Sequence, residues 1–277
     1  MAKKSGKKKA DNILSLNAAL NTHSLNPMRT GMPALDSVVE VPFVAAATAG
    51  AAPAPKYRVI ETNEMDEYEL DKTKPLILAL SAAAAAAPTG DSYQGSDRKA
   101  AKISKAKGKL EKFNDLKDLI DSLTPDAEMV ALDIPTGPKS DRVPQEQRNV
   151  QVKAFIYAAS REKDNDFHLI IGRDPSKKEL YMNMELSGLP PKSSPSFAAL
   201  KAARDAYKKF YAEVLQHPLP GMKYQFYPDP PIPVVIEGSL FFDATHSRGN
   251  RPGPPSLKSR IPSIWEVHPI TKITFKP

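Results

Sequence analysis

Past position 149 the hydrophobic and polar residues settle into regular periods. In "VQVKAFIYAASRE" (150–162), Val150, Val152, Ala154 and Ile156 fall on one side, the period-two pattern of a half-buried strand. "DFHLIIGR" (166–173) reads as a second strand after the turn "DNDF", and "ELYMNMEL" (179–186) as a third after the turn formers of "DPSKK". The period then lengthens. Phe197, Leu200, Ala203, Tyr207, Phe210 and Val214 make one apolar stripe behind Ser194, which can cap, and Pro195, predicting a helix over 195–215. A fourth strand is expected at 230–243, its leading prolines marking the start, and a fifth at 263–275 after a Gly/Pro-rich loop. The order β-β-β-α-β-β predicts a mainly β domain, an OB-like five-stranded barrel with the helix plugging one end. An open sheet on one helix has the same spacing.

The chain before this domain is different in kind. Residues 1–95, with Ala/Pro punctuation and six consecutive alanines at 82–87, read as a low-complexity, largely disordered tail. Residues 96–148 read as a short helix and a linker. Leu110, Phe113, Leu116, Ile120 and Leu123 share a helical face ended by Pro125, and "DIPTGPKSDRVPQEQ" follows as the linker. The apolar stretches at 41–55 and 74–88 are too short for a bilayer, which needs about 20 apolar residues, so no transmembrane segment is expected. The lysine-rich start lacks the apolar run of a signal peptide, which favours a cytoplasmic setting. Secretion without disulfides is also compatible.

Charge and cysteine narrow the chemistry. The formal net charge is +7: residues 146–277 hold 19 Lys/Arg against 13 Asp/Glu, and residues 1–145 hold 20 against 19. Within the first half, basic runs at 3–9 and 98–112 flank an acidic one at 61–71. Basic runs favour phosphates and other polyanions, and they also serve simply as solvated surface. The absence of cysteine excludes disulfides, thiolate–zinc sites and thiol nucleophiles. There is no phosphate-binding glycine loop, nucleophile elbow or His-Glu-x-x-His pattern, and no cofactor is indicated.

Two sets of residues could carry function. Three acid–histidine pairs recur on or just past strands: Asp166 with His168, Asp243 with His246, and Glu266 with His268. Residues two apart on a strand share a face, so Glu266 and His268 should point together away from a core that takes Trp265 and Val267. Such groups can bind a transition metal, act as acid and base, or line a ligand pocket. They can equally hydrogen-bond one another for structural reasons. The second set is basic and aromatic: Lys153, Tyr157, Arg161, Arg173 and Tyr181, suited to stacking bases over a basic groove. Aromatics on strands also commonly form core.

"DFHLII", "YMNMEL", "VVIEGSLFFDATH" and "WEVHPITKI" together resemble a bacterial domain family marked by Asp-x-His-Leu, Phe-Phe-Asp-x-x-His and Glu-x-His-Pro. The resemblance spans about residues 149–275. It implies that Asp166, His168, Asp243, His246, Glu266 and His268 are the matching motif positions, and it implies no activity. "GRDPSKKEL" departs from the pattern, as does the long N-terminal region. The expectation is a non-enzymatic binding module with nucleic acid or another polyanion as partner. A metal-binding or hydrolytic acid–histidine site and a scaffold binding a protein partner are the alternatives.

Overall fold

The computed structural model describes residues 54–66, 90–248 and 251–276, with the backbone of Val38–Val39. They belong to the compact unit Gly31–Pro277. Most of the expected tail, including the basic run 3–9 and nearly all of both apolar stretches, lies outside the described residues.

The described strands are β1 (Val38–Val39), β2 (Ile60–Thr62), β3 (Leu110–Phe113), β4 (Asn149–Arg161), β5 (Phe167–Gly172), β6 (Tyr181–Leu186), β7 (Gln225–Phe226), β8 (Ile232–Phe242) and β9 (Trp265–Phe275). The helices are α1 (Lys99–Lys102), α2 (Leu116–Asp121), α3 (Asp126–Val130), α4 (Phe197–Phe210) and α5 (Pro255–Lys258).

Five strands close a barrel in the order β4-β5-β6-β9-β8 and back to β4. All neighbours are antiparallel except β6 and β9, which run parallel and share the single register pair Met184–Val267. This is the predicted OB-like arrangement. The thirteen-residue β4 spans two neighbours, pairing β8 along its first half and β5 along its second, with a register shift between Ile156 and Ala158. The period-two pattern sets the interior: Val150, Val152, Ala154, Ile156, Leu169, Ile171, Met182, Met184, Trp265 and Val267 all belong to one buried core. Ala203, Tyr207 and Phe210 of α4 join that core. The Phe210 ring stacks on Phe275 with centroids 3.8 Å apart.

The N-terminal half is more tightly involved than its composition suggests. β2 pairs β7, which pairs β4, so residues within the expected tail extend the sheet. The predicted helix beginning near Leu110 divides in two. Leu110–Phe113 is a strand parallel to the start of β4, and the helix starts only after Asp115, whose carboxylate accepts from Lys117 N at 2.9 Å. An aspartate is a strong helix start, and a short apolar run carries either period, so pairing with β4 decides the first segment. The expected linker is buried in part. Glu146 is fully buried in a bidentate pair with Arg98, both N–O distances being 2.7 Å. Arg142 donates to the carbonyls of Ala101, Leu240 and His268.

No helix among the described residues is long and apolar enough to cross a membrane.

Candidate functional site

The outward-pointing residues of β5, β6 and β9 form two layers. Toward one end, Ile170 and Tyr181 pack with Tyr157, Phe226, Leu257 and Ile261 in a second apolar cluster. Toward the other end the same faces turn polar: His168 on β5, Asn183 and Glu185 on β6, Glu266 and His268 on β9. Cross-strand register puts His168 directly opposite Glu185. In OB barrels this outer face is the usual ligand surface. Here it is covered by residues 90–104 and by the β8–β9 loop, and His168 (8 %) and His246 (9 %) are the most exposed of its histidines.

Glu185 sits at the centre. Its Oε1 accepts from Asn183 Nδ2 at 2.9 Å and lies 2.9 Å from His168 Nε2, while its Oε2 lies 2.9 Å from His268 Nδ1. Asn183 Nδ2 also donates to Glu266 Oε1 at 2.9 Å, and Glu266 Oε2 is hydrogen-bonded to His268 Nδ1 at 3.4 Å. On the other side of the ring, His268 Nε2 is 3.2 Å from Asp166 Oδ2. Asp166 Oδ1 accepts from Gly188 N at 2.5 Å. Asp243 and His246 make their own pair at 2.5 Å in the β8–β9 loop. Lys102 reaches over from α1, with its ammonium 3.8 Å from Asp164 and 5.7 Å from the Phe241 ring centre.

Two of the three expected acid–histidine pairs are therefore contacts. Asp166 and His168 are not: Asp166 turns to His268, and His168 turns to Glu185. Side chains two apart on one strand lie farther apart than directly opposed cross-strand neighbours, about 4.5–5.5 Å between Cβ atoms, so the neighbouring strand supplies the partner. Glu185, Asn183 and Lys102 carry this arrangement without having been singled out by sequence. The alternation in "YMNMEL", with Met182 and Met184 inward and Asn183 and Glu185 outward, was the available signal.

The electrostatics follow from placing five buried carboxylates (Glu162, Asp166, Glu185, Asp243, Glu266) and the half-buried Asp164 around three imidazoles and one ammonium. Burial opposes the charge of His168 and His268, yet Glu185 and its neighbours hold both rings' pKa values well above the ordinary range. For Glu185, burial opposes ionisation, but the two imidazoles prevail and its pKa falls well below the usual carboxylate value. Burial first, and then the Glu185 charge, pushes Glu266 up to about 7. Burial and Asp166 likewise push Asp164 to about 7. Lys102 stays protonated despite burial because Glu185, Asp164 and Asp243 surround it.

The basic and aromatic candidates separate. Tyr157 and Tyr181 are buried against each other edge to face at 5.0 Å, and Tyr157 Oη donates to Arg173 O. Arg161 is tied to Asn165 Oδ1 and Gly90 O. Lys153 and Arg173 come together in a groove of about 370 Å³, lined also by Phe155, Lys177, Lys276 and Asp115 and by none of the acid–histidine residues. There Asp115 is claimed by Arg173 at 2.8 Å and Lys177 at 2.6 Å, and a guanidinium hydrogen bond outweighs burial to hold its carboxyl far below the usual range. Lys153 and Lys276 make no ion pair among the described residues, and the Phe155 ring is half-buried between them.

Comparison with protein-family models, curated proteins and solved structures finds no match to the chain. Its chemistry is read from its own geometry.

Proposed function

We propose that this chain is a non-enzymatic binding module for single-stranded nucleic acid, with the backbone lying along the Lys153–Lys276 groove and a base resting on Phe155. The observation that carries the reading is the placement of two lysines without ion pairs beside a partly buried aromatic ring in one groove. Phosphates need unpaired cations, and a ring face accepts any base, a contribution of about 1–3 kcal/mol per stacked base. Arg173 and Lys177 already neutralise Asp115, so the groove's acidic wall does not repel an incoming phosphate. The basic runs at 3–9 and 98–112 support the same partner. A cytoplasmic setting belongs to this proposal.

Fluorescence anisotropy of the full chain with labelled oligo-dT, and with a duplex of the same length, tests it. Single strands should bind more tightly, with affinity falling as salt rises. Lys153→Glu with Lys276→Glu should reduce the slope of log affinity against log salt by about 1.4, at roughly 0.7 per phosphate contact. Phe155→Ala should weaken oligo-dT binding by at least fivefold and leave inorganic polyphosphate binding unchanged. Absence of binding at low salt, or wild-type behaviour in all three substitutions, refutes the proposal and leaves a protein-binding scaffold to be sought by co-purification.

A further inference from the structure

The buried acid–histidine face holds a feature that neither packing nor the proposed groove explains. Asp166, Glu185 and His268 each offer a ligand-capable atom, and the three atoms lie within 4.8 Å of one another. All three residues are at most 1 % exposed. Asp166 Oδ2, Glu185 Oε2 and His268 Nε2 make no hydrogen bond. The close approaches of 3.2 Å from Asp166 Oδ2 to His268 Nε2, and 2.9 Å from Glu185 Oε2 to His268 Nδ1, are too poorly aligned to count as one. A buried polar atom without a well-formed hydrogen bond costs about 1–3 kcal/mol. The 3.2 Å between Asp166 Oδ2 and His268 Nε2 is what adjacent ligands adopt around one ion with bonds of about 2.0–2.2 Å, and Glu185 offers its atom within the 4.8 Å span.

Other polar groups of the face support these three residues. Asp166 Oδ1 is held by Gly188 N, Glu185 Oε1 by Asn183 and His168, and His268 Nδ1 by Glu266. A carboxylate on one imidazole nitrogen fixes the tautomer that leaves the other nitrogen's lone pair for a metal.

From this we infer that Asp166, Glu185 and His268 are the ligands of a divalent transition-metal ion, with His168, Asn183 and Glu266 positioning them. One imidazole and two carboxylates suit zinc or manganese better than magnesium or calcium, which favour oxygen donors alone. The site's place in the fold indicates a structural role. Its ligands come from the start of β5, from β6 and from β9, and β6–β9 is the seam of the barrel joined by a single register pair. An ion there fastens the strands where the backbone ladder is thinnest.

The test uses the full chain, dialysed against chelator and then titrated with Zn²⁺, Mn²⁺ or Mg²⁺ while metal content and thermal unfolding are followed. The expected result is one tightly held equivalent of Zn²⁺ or Mn²⁺. At a hundredfold excess over Kd, Tm should rise by about 5–10 °C, and Mg²⁺ should do little. Glu185→Gln and the milder Asp166→Asn, which keeps the acceptor for Gly188 N, should each lower metal affinity at least tenfold. His246→Gln should leave it unchanged. Co²⁺ bound by the wild-type chain should show visible d–d absorption that Asp166→Asn removes. Wild-type protein that takes up no transition metal and shows no Tm response, or an Asp166→Asn variant that binds as the wild type does, overturns the assignment.

Discussion

Glu146→Ala is expected to be among the most damaging single substitutions in the molecule, although it lies in a stretch with the composition of a linker. The carboxylate accepts four hydrogen bonds, from both terminal nitrogens of Arg98 at 2.7 Å and from the amides of Val143 and Phe242 at 2.8 Å. Removing it leaves a guanidinium that is 1 % exposed with only the carbonyls of Phe242 and Asp141, and the Phe241 ring 4.7 Å away, for company. An uncompensated buried charge costs about 3–5 kcal/mol, and the two orphaned amides push the loss toward the upper end. In urea, with a slope of roughly 2–3 kcal/mol/M for a domain of this size, the midpoint should fall by about 1–2.5 M without a change in slope. Arg98→Met combined with Glu146→Leu should recover most of the loss, because the desolvation penalty disappears with the pair. A Glu146→Ala variant within 1 kcal/mol of wild type, or a double variant no more stable than the single one, would refute the reasoning. The pair matters for the site because Arg98 adjoins α1, which carries Lys102 over the acid–histidine face.

The Asp243–His246 pair should give stability a pH dependence on both flanks. Burial alone would lower the His246 pKa, but Asp243 raises it to about 9, so its contribution is complete below about 6.5 and fades as pH rises through 9. Asp243 is depressed by the His246 charge against the effect of burial, so its contribution is present above the ordinary carboxylate range and fades as pH falls through its lowered pKa. Urea midpoints at pH 7 and pH 10 should converge in His246→Gln, and an unchanged gap counts against the pair. Gly238→Ala in β8 should cost about 1–3 kcal/mol, because an added Cβ meets the Pro269 carbonyl at 2.5 Å as well as the Val267 side chain; a neutral effect on the melting temperature would show that β9 yields there. Trp265, 1 % exposed with its indole N–H on Thr124 O, should emit at short wavelength in the folded chain and shift red in one step on unfolding. An emission already red in buffer contradicts its burial.

How much of this was legible beforehand depends on whether a feature is local or crosses the chain. The strands and α4 announced themselves, since alternation in 150–156 and the stripe from Phe197 to Phe210 record which side of each element meets the core. The same rule placed Trp265 and Val267 inward and Glu266 and His268 outward, as found. Period says which face a residue occupies but not what lies across from it. Asp166 therefore looked like the partner of His168 until the register set Glu185 opposite that histidine and left Asp166 to His268. Arg98 and Glu146, forty-eight positions apart, left no periodic trace, because a buried ion pair in irregular backbone is defined only by the fold that surrounds it. Leu110–Phe113 misled for the opposite reason: four residues fit a helix and a strand equally, and pairing with β4 breaks the tie. The polar face adds a further lesson. Natural barrels usually leave the outer surface of these strands open to a ligand, whereas this chain folds its own residues 90–104 over it. Covering carboxylates and imidazoles is costly unless each atom finds a partner. Several buried atoms of that face lack a hydrogen bond, and Asp166, Glu185 and His268 are the residues whose ligand-capable atoms converge within 4.8 Å, where the proposed cation would sit.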